Sequence, residues 1–415
     1  MGSGILFLPG ATVKWAGSGA LLAWVIGSLL CASFVPLMRF LVAYSRTEDG
    51  ISGIIETGIG KKTAMGFTYL VLGTVCFGMP ASALIAGAFV SRFFGWGVLG
   101  TTVVGTLVIL VPAFSNLRGL KTSSKLQGVA SALLVGLVAL ILVGSWQVPT
   151  VGLPPWTQVV SSSWESVYQA TVLVFWAFAG FENLAFMAKD YQNPKRDLPL
   201  SMLVAVVVCG LIYLTLSFEY VVLVPPALVD SQVGLYQLAE FGAFPKLVVP
   251  LVVILAVVSL LMNFNSWMWG VARLIQQQAQ SAALPLVLGS SNSTGVPSLA
   301  LKSLALVQVS VLFVLSSAPK VFDWAVSQVS LNFLVIYFLL ILSAVGFAKQ
   351  FLNGKARNGW RLVFSAAAIT LAVLMAQSGW ALLYPSIFVV LIPLLATRMR
   401  AMGESFTSTK QEGGV

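Results

Sequence analysis

The chain has 415 residues, 58% apolar and only 9% charged, with a mean hydropathy of +0.94 and a formal net charge of +10. A soluble domain carries about 25% charged residues, and no compact domain of this length has enough interior to hide so much apolar surface, so lipid must cover much of it. The absence of His removes the commonest general base and metal ligand, while Cys31, Cys76 and Cys209 stand singly in apolar runs and read as small core residues rather than ligands or a disulfide.

In chain order, residues 4–11 are apolar but too short to cross a bilayer, which takes about 20 helical residues. No basic segment precedes them and no small-residue cleavage site follows, so they read as part of a first span rather than a signal peptide. Long apolar runs then lie near 17–40, 65–91, 95–114, 126–147, 167–188, 200–224, 246–270, 298–317, 326–348, 360–378 and 380–397. With the opening stretch they predict twelve crossings. If Met1 emerges from the cytoplasmic half, only Lys14, Arg92, Lys246 and Lys320 of the 23 Lys and Arg fall outside. The positive-inside bias then puts the C-terminus and the connections after spans 2, 4, 6, 8 and 10 in the cytoplasm. The positive charge therefore reads as membrane topology, not as a nucleic-acid surface. Residues 225–245, the longest outer loop, contain Pro225-Pro226 and suggest a short surface helix. Residues 1–400 read as one transmembrane domain and 401–415 as a polar cytoplasmic tail.

Two crossings look interrupted. In the sixth, Ala179-Gly180 falls near the middle, followed by Glu182-Asn183. Glycine eases departure from the helix, and a carboxylate at membrane depth must face protein or water. At the chain start, Gly2-Ser3-Gly4 leads through an apolar turn to Pro9, a pattern that fits an unwound linker followed by the outer half of span 1. Breaks in spans 1 and 6 lie five helices apart and run in opposite directions, as expected of two five-helix halves with inverted topology. Free N–H groups at one half-helix start and free C=O groups at another's end predict a zwitterion site near the midplane. Gly180 alone would also fit close helix packing; Glu182 and the matching break favour the site.

These residues resemble the amino acid–polyamine–organocation (APC) superfamily of transporters over nearly the whole chain. Gly2-Ser3-Gly4-Ile5 with Pro9 is similar to its first-helix motif, Phe175-Trp176-Ala177-Phe178-Ala179-Gly180-Phe181-Glu182 to its sixth-helix motif, and Asn193-Pro194-Lys195-Arg196-Asp197-Leu198-Pro199 to the segment that follows. Within the superfamily the resemblance is to bacterial exporters of L-methionine and branched-chain amino acids, carried by residues 175–199, 116–127, Gly78-Met79-Pro80-Ala81, Ala272-Arg273-Leu274 and Gln278-Ala279-Gln280. It implies an all-α polytopic membrane protein in the bacterial inner membrane, a 5+5 inverted repeat with discontinuous helices 1 and 6. It also implies that about 10–20 residues completing the first helix are missing before Gly2.

By position, the resemblance implies that the N–H groups of Ser3, Gly4 and Ile5 hold a substrate carboxylate. The carbonyls of Trp176 and Ala179, beside Gly180, receive the ammonium. Phe178 serves as an aromatic gate and Glu182 as the gating or proton-coupling acid. Trp176 could equally place its side chain against lipid, and Glu182 could be a buried structural acid. Met79, Phe181, Asn263, Phe264 and Trp267 are candidates for an apolar side-chain pocket, with helix packing as the alternative for each. The expected substrate is a neutral L-amino acid such as Met, Leu, Ile or Val, exported by alternating access. No cofactor or bound metal is expected, and the coupling ion is expected to be H⁺. Asn265 and Ser266 keep a sodium site open. Uptake, exchange, and a non-transporting receptor are the rival readings. An enzyme would need a nucleophile and base that the chain lacks, and a channel would need a filter or a ring of like residues.

Overall fold

A computed structural model describes residues 3–44, 50–119, 124–150, 152, 159, 162–180, 193–280 and 284–394. Among them every regular element is helical. The main helices are α1 (Gly4–Ala16), α2 (Ala20–Ala32), α3 (Phe34–Tyr44), α4 (Gly50–Ile59), α5 (Lys61–Phe94), α6 (Gly97–Leu117) and α7 (Ser124–Ser145). They continue with α8 (Trp164–Ala177), α9 (Pro194–Leu223), α10 (Gly234–Phe241), α11 (Pro245–Gln280), α12 (Ser298–Ser317), α13 (Pro319–Phe351) and α14 (Gly354–Ala376). A last helical stretch, Gly379–Leu394, changes from 3-10 to α to π geometry along its length.

Nine stretches of the described chain are long and apolar enough to cross a membrane, with Gly4–Leu37 counted as one. That stretch is a hairpin of two helices. Gly17, at φ +54, opens a 3-10 turn through Gly19. Trp24 Nε1 then donates to Thr12 Oγ1 at 3.0 Å. In a continuous helix these residues would be about 18 Å apart. The turn thus separates the predicted first and second crossings, of which the 13-residue α1 is by itself too short to span. α8 is too short to span by itself, and predicted residues 181–188 of that crossing lie outside the described residues. The predicted crossing at 380–397 is described only as the shorter helix Gly379–Leu394; the other helices agree with expectation, best at Ser298–Ser317, where Pro297 and Pro319 bracket the run.

Two features differ from the expectation. α4 was not foreseen, because ten residues cannot span and the window for a crossing passes over it. α10 forms in the outer loop as expected, but it is not a surface helix. Gly234 through Ala239 are all buried, and α10 packs on α1 and α11. A Cβ on Gly10 would stand 3.0 Å from both the Asp230 carbonyl and Gly234 Cα, so two glycines are what let these backbones touch. Gln237 then anchors the loop: its amide donates to Leu228 O at 2.7 Å and its Oε1 accepts from Tyr220 and the Asp230 N–H. Arg92 closes the edge of this loop with a two-point bond to Glu240 and lies 5.4 Å from the Tyr236 ring. Burial, then the Glu240 charge, holds the Tyr236 phenol above its usual range, with Arg92 opposing.

The residues cluster into two compact units. The first comprises Met1–Val35, Val75–Gly180 and Leu200–Ser330; α8 packs between α1 and α2, and α11 and α12 both pack on α6. The second comprises Pro36–Thr74, Phe181–Pro199 and Leu331–Val415. In the second, Gly58 and Gly346 let α4 and α13 meet backbone to backbone, and Phe40 packs on Trp360 and Phe364. Small residues at such crossings are how membrane helices gain contact when the hydrophobic effect no longer favours association. α5 and α13 are buried over 78% of their most apolar window and α14 over only 17%, so α14 turns most of its surface to lipid.

The hairpin bond gives a direct test. Thr12→Val keeps the shape of the side chain but leaves the buried Trp24 N–H without its acceptor. The unfolding midpoint in detergent should fall by the equivalent of about 1–2 kcal/mol; an unchanged midpoint would show that the bond does not hold the hairpin.

Candidate functional site

Only peptide groups at helix ends can present unpaired polarity inside a membrane, and α1 and α8 bring two such ends together. α1 starts at Gly4 behind Ser3, whose side chain makes no capping bond. The Leu6 N–H to Ser3 carbonyl bond, at 3.0 Å, is the first described bond of the helix. The N–H groups of Ser3, Gly4 and Ile5 precede that ladder and have no acceptor among the described residues before them. All three residues are buried.

α8 begins firmly. Ser163 caps it by accepting from the Ser166 N–H at 3.2 Å, and Glu165 sits in its first turn, where a negative charge suits the dipole. It ends at Ala177. The chain turns through Phe178, Ala179 and Gly180, with the Ala179 N–H on the Trp176 carbonyl at 3.2 Å and Gly180 at φ +106. That backbone conformation strains any residue with a Cβ. The Trp176 carbonyl accepts from the N–H groups of both Phe178 and Ala179, which closes the last turn of α8.

The two helices run antiparallel, and their ends meet. A Cβ on Gly4 would stand 3.3 Å from Ala177 Cα. One turn deeper, Phe7 meets Trp176 edge to face at 5.3 Å and 79°. At the far end Gly19 abuts Ser162. The 13 residues of α1 measure about 20 Å, so the meeting point lies about that far from the Gly17 turn. The positive end of α1 and the negative end of α8 thus share one depth.

Trp176 is buried against Phe7 and close to Gly78, so the alternative of a lipid-facing side chain is overturned: edge-to-face packing gives the ring a partner that lipid would not. Phe178 is buried beside Tyr213 at 6.5 Å. Tyr213 of α9 was not singled out by sequence. Its ring stacks on Trp24 at 4.6 Å and 6°, and its hydroxyl oxygen lies 2.9 Å from where a Gly4 Cβ would be. The available signal was a polar-tipped ring deep in an apolar run, which needs a partner when buried.

The expected pocket residues are more dispersed. Met79, on α5 next to Gly78, is buried, and its sulfur accepts from Gln308 Nε2 at 3.1 Å. Asn263, Phe264 and Trp267 lie on α11, whose neighbours are α6, α7, α10 and α12. Phe264 is fully buried there, and the other two are half-buried. Asn265 is engaged with α6: its amide donates to Ser115 Oγ at 3.0 Å and its carbonyl accepts from Asn116 at 2.9 Å. Ser266 is exposed. The Asn265 amide N–H and backbone carbonyl thus fasten α11 to α6. Phe181 and Glu182 lie outside the described residues. Among the described residues no group of His, Cys, Asp and Glu is placed to hold a metal ion.

The sequence of this chain matches a family described as amino acid permease over residues 1–406. The chain belongs to the amino acid permease family. It is similar to an uncharacterized amino acid permease, YecA, of Bacillus subtilis (strain 168), at 25% identity over 93% of this chain and 89% of that one. It is also similar to the L-methionine/branched-chain amino acid exporter YjeH of Escherichia coli (strain K12), at 24% identity over 98% and 95%, and to the putrescine transporter PotE of the same strain, at 20% over 93% and 90%. As a permease it belongs among APC transporters and not among enzymes, and it is a multi-pass membrane protein. Small-molecule substrates, amino acids or amines, are what such relatives imply.

Gly180→Leu should strain the turn by about 1–2 kcal/mol and fill the space at the end of α8. Binding of labelled amino acid by purified protein should weaken about tenfold or more, while the helical circular dichroism stays unchanged. Wild-type affinity in this variant would separate the turn from the binding site.

Proposed function

We propose that this permease exports neutral, apolar L-amino acids (Met, Leu, Ile or Val) by alternating access, in exchange for protons, from the inner membrane of a bacterium with its C-terminus in the cytoplasm. The observation that carries this reading is the buried meeting of the α1 start with the α8 end. An amino acid zwitterion matches that pair of ends. Its carboxylate would accept from the N–H groups of Ser3, Gly4 and Ile5, and its ammonium would donate to the carbonyls of Trp176 and Ala179. Tyr213 would add a hydroxyl donor at the carboxylate, and Phe178 would cover the site. The surrounding side chains, Ile5, Phe7 and Trp176, are apolar, which favours an apolar substrate side chain over a second charge. Export and the choice of Met, Leu, Ile or Val are supported by the name of the Escherichia coli relative.

Glu182 follows Gly180 by two residues and is the candidate for coupling. In this reading it takes a proton from the outside after substrate leaves and gives it up on the inside as substrate binds. Glu182→Gln cannot carry that proton. Transport by this variant in proteoliposomes should lose its dependence on an imposed pH gradient, with insertion and substrate binding retained. A gradient response equal to wild type would remove Glu182 from coupling.

Direction has its own readout. Cells overproducing the permease should tolerate toxic analogues of methionine or leucine at several-fold higher concentration than control cells. Heightened sensitivity would instead establish uptake.

A further inference from the structure

α6 and α12 pack side by side in the first unit, yet their seam is not filled. A groove of about 660 Å³ runs along it from Leu110 to Leu117 on α6 and from Leu301 to Val309 on α12. The volume falls within the range of small-molecule sites, about 300–1,000 Å³. The depression has a simple cause. Ala113 and Ala305 form its floor and are buried, while Phe114, Val111 and Leu306 stand up around them and are exposed. From first to last, eight residues of α6 and nine of α12 rise about 10–12 Å, so the groove is an elongated slot running parallel to the helices.

One end of the slot is charged. Lys302 belongs to its lining. Arg118 follows Leu117 and holds its guanidinium 4.2 Å from the centre of the Phe114 ring. Both cations are exposed, and among the described residues neither meets a carboxylate. The C-cap of α6 and the second turn of α12 therefore place two positive charges, without a carboxylate partner among the described residues, at one end of the slot.

We infer that this slot binds an anionic phospholipid, with one acyl chain lying over Ala113 and Ala305 and the phosphate between Lys302 and Arg118. Basic pockets between membrane helices attract acidic headgroups, and an acyl chain fills an apolar slot that no neighbouring helix fills. A free phosphate would make no use of the apolar floor. A second copy of the chain paired across this face by a two-fold axis would bring Lys302 and Arg118 together with their own duplicates, which disfavours that occupant. The inference concerns lipid alone and stands apart from the choice of transported substrate.

Native mass spectrometry of the full chain, purified in detergent and given equal amounts of phosphatidylglycerol and phosphatidylcholine, provides the test. Wild type should retain phosphatidylglycerol preferentially. Lys302→Ala and Arg118→Ala should each reduce that retention about fivefold, leaving phosphatidylcholine retention unchanged. Ala305→Phe, which fills the floor, should reduce retention of both lipids. Equal retention of the two lipids by wild type would overturn the inference without recourse to any variant. So would unchanged retention in the double cation variant, or an Ala305→Phe protein that changes oligomeric state while holding as much lipid as before.

Discussion

Inside hydrocarbon a peptide N–H or C=O has no water to turn to, and each one left unpaired costs several kcal/mol. A helix that stops within the membrane therefore needs either protein or a ligand at its end. In this permease α1 starts and α8 stops at the same buried depth, and each end faces the other's opposite partial charge. Much of the surrounding structure maintains that meeting. The Gly17–Gly19 turn and the Trp24–Thr12 bond fold α1 back along α2, and α8 packs on both. Tyr213 and Phe178 close the space beside it.

Side-chain size decides where backbones approach. Gly4 admits Tyr213 and Ala177, and Gly10 admits α10 and its loop. The same device joins α4 to α13 in the second unit, through Gly58 and Gly346. At each place a methyl group would force helices apart. The cost of these approaches is small in lipid, where glycine-rich helices remain stable because the backbone has no better solvent to escape to. At the α6–α12 seam small residues have the converse effect. Ala113 and Ala305 are not answered by a closely fitting neighbour, so a slot remains.

Polar side chains within the bundle divide between packing and chemistry, and the division is not visible from residue type. Asn265 looks like a candidate ion ligand, yet it fastens α11 to Ser115 and Asn116 of α6. Gln237 looks like an ordinary loop residue, yet it organises the outer cap through three partners. Met79 was a candidate for contact with substrate, and its sulfur is occupied by Gln308.

The sequence by itself determined the membrane class, the place of most long apolar helices, and the end of a helix at Ala179-Gly180. Hydropathy over twenty residues and the special backbone of glycine and proline are local properties, so they can be read along the chain. The break at Ala179-Gly180 was legible for that reason, and so was the helix Ser298–Ser317 between its prolines. Only the tertiary structure decided that the start of α1 meets the end of α8, that Tyr213 reaches the start of α1, that Trp176 faces Phe7 rather than lipid, and that α10 is buried. Each of these depends on which face of one helix lies against another. In a chain apolar on nearly every face the usual contrast between a polar and an apolar side is too weak to specify that choice, and close packing around small residues makes it instead.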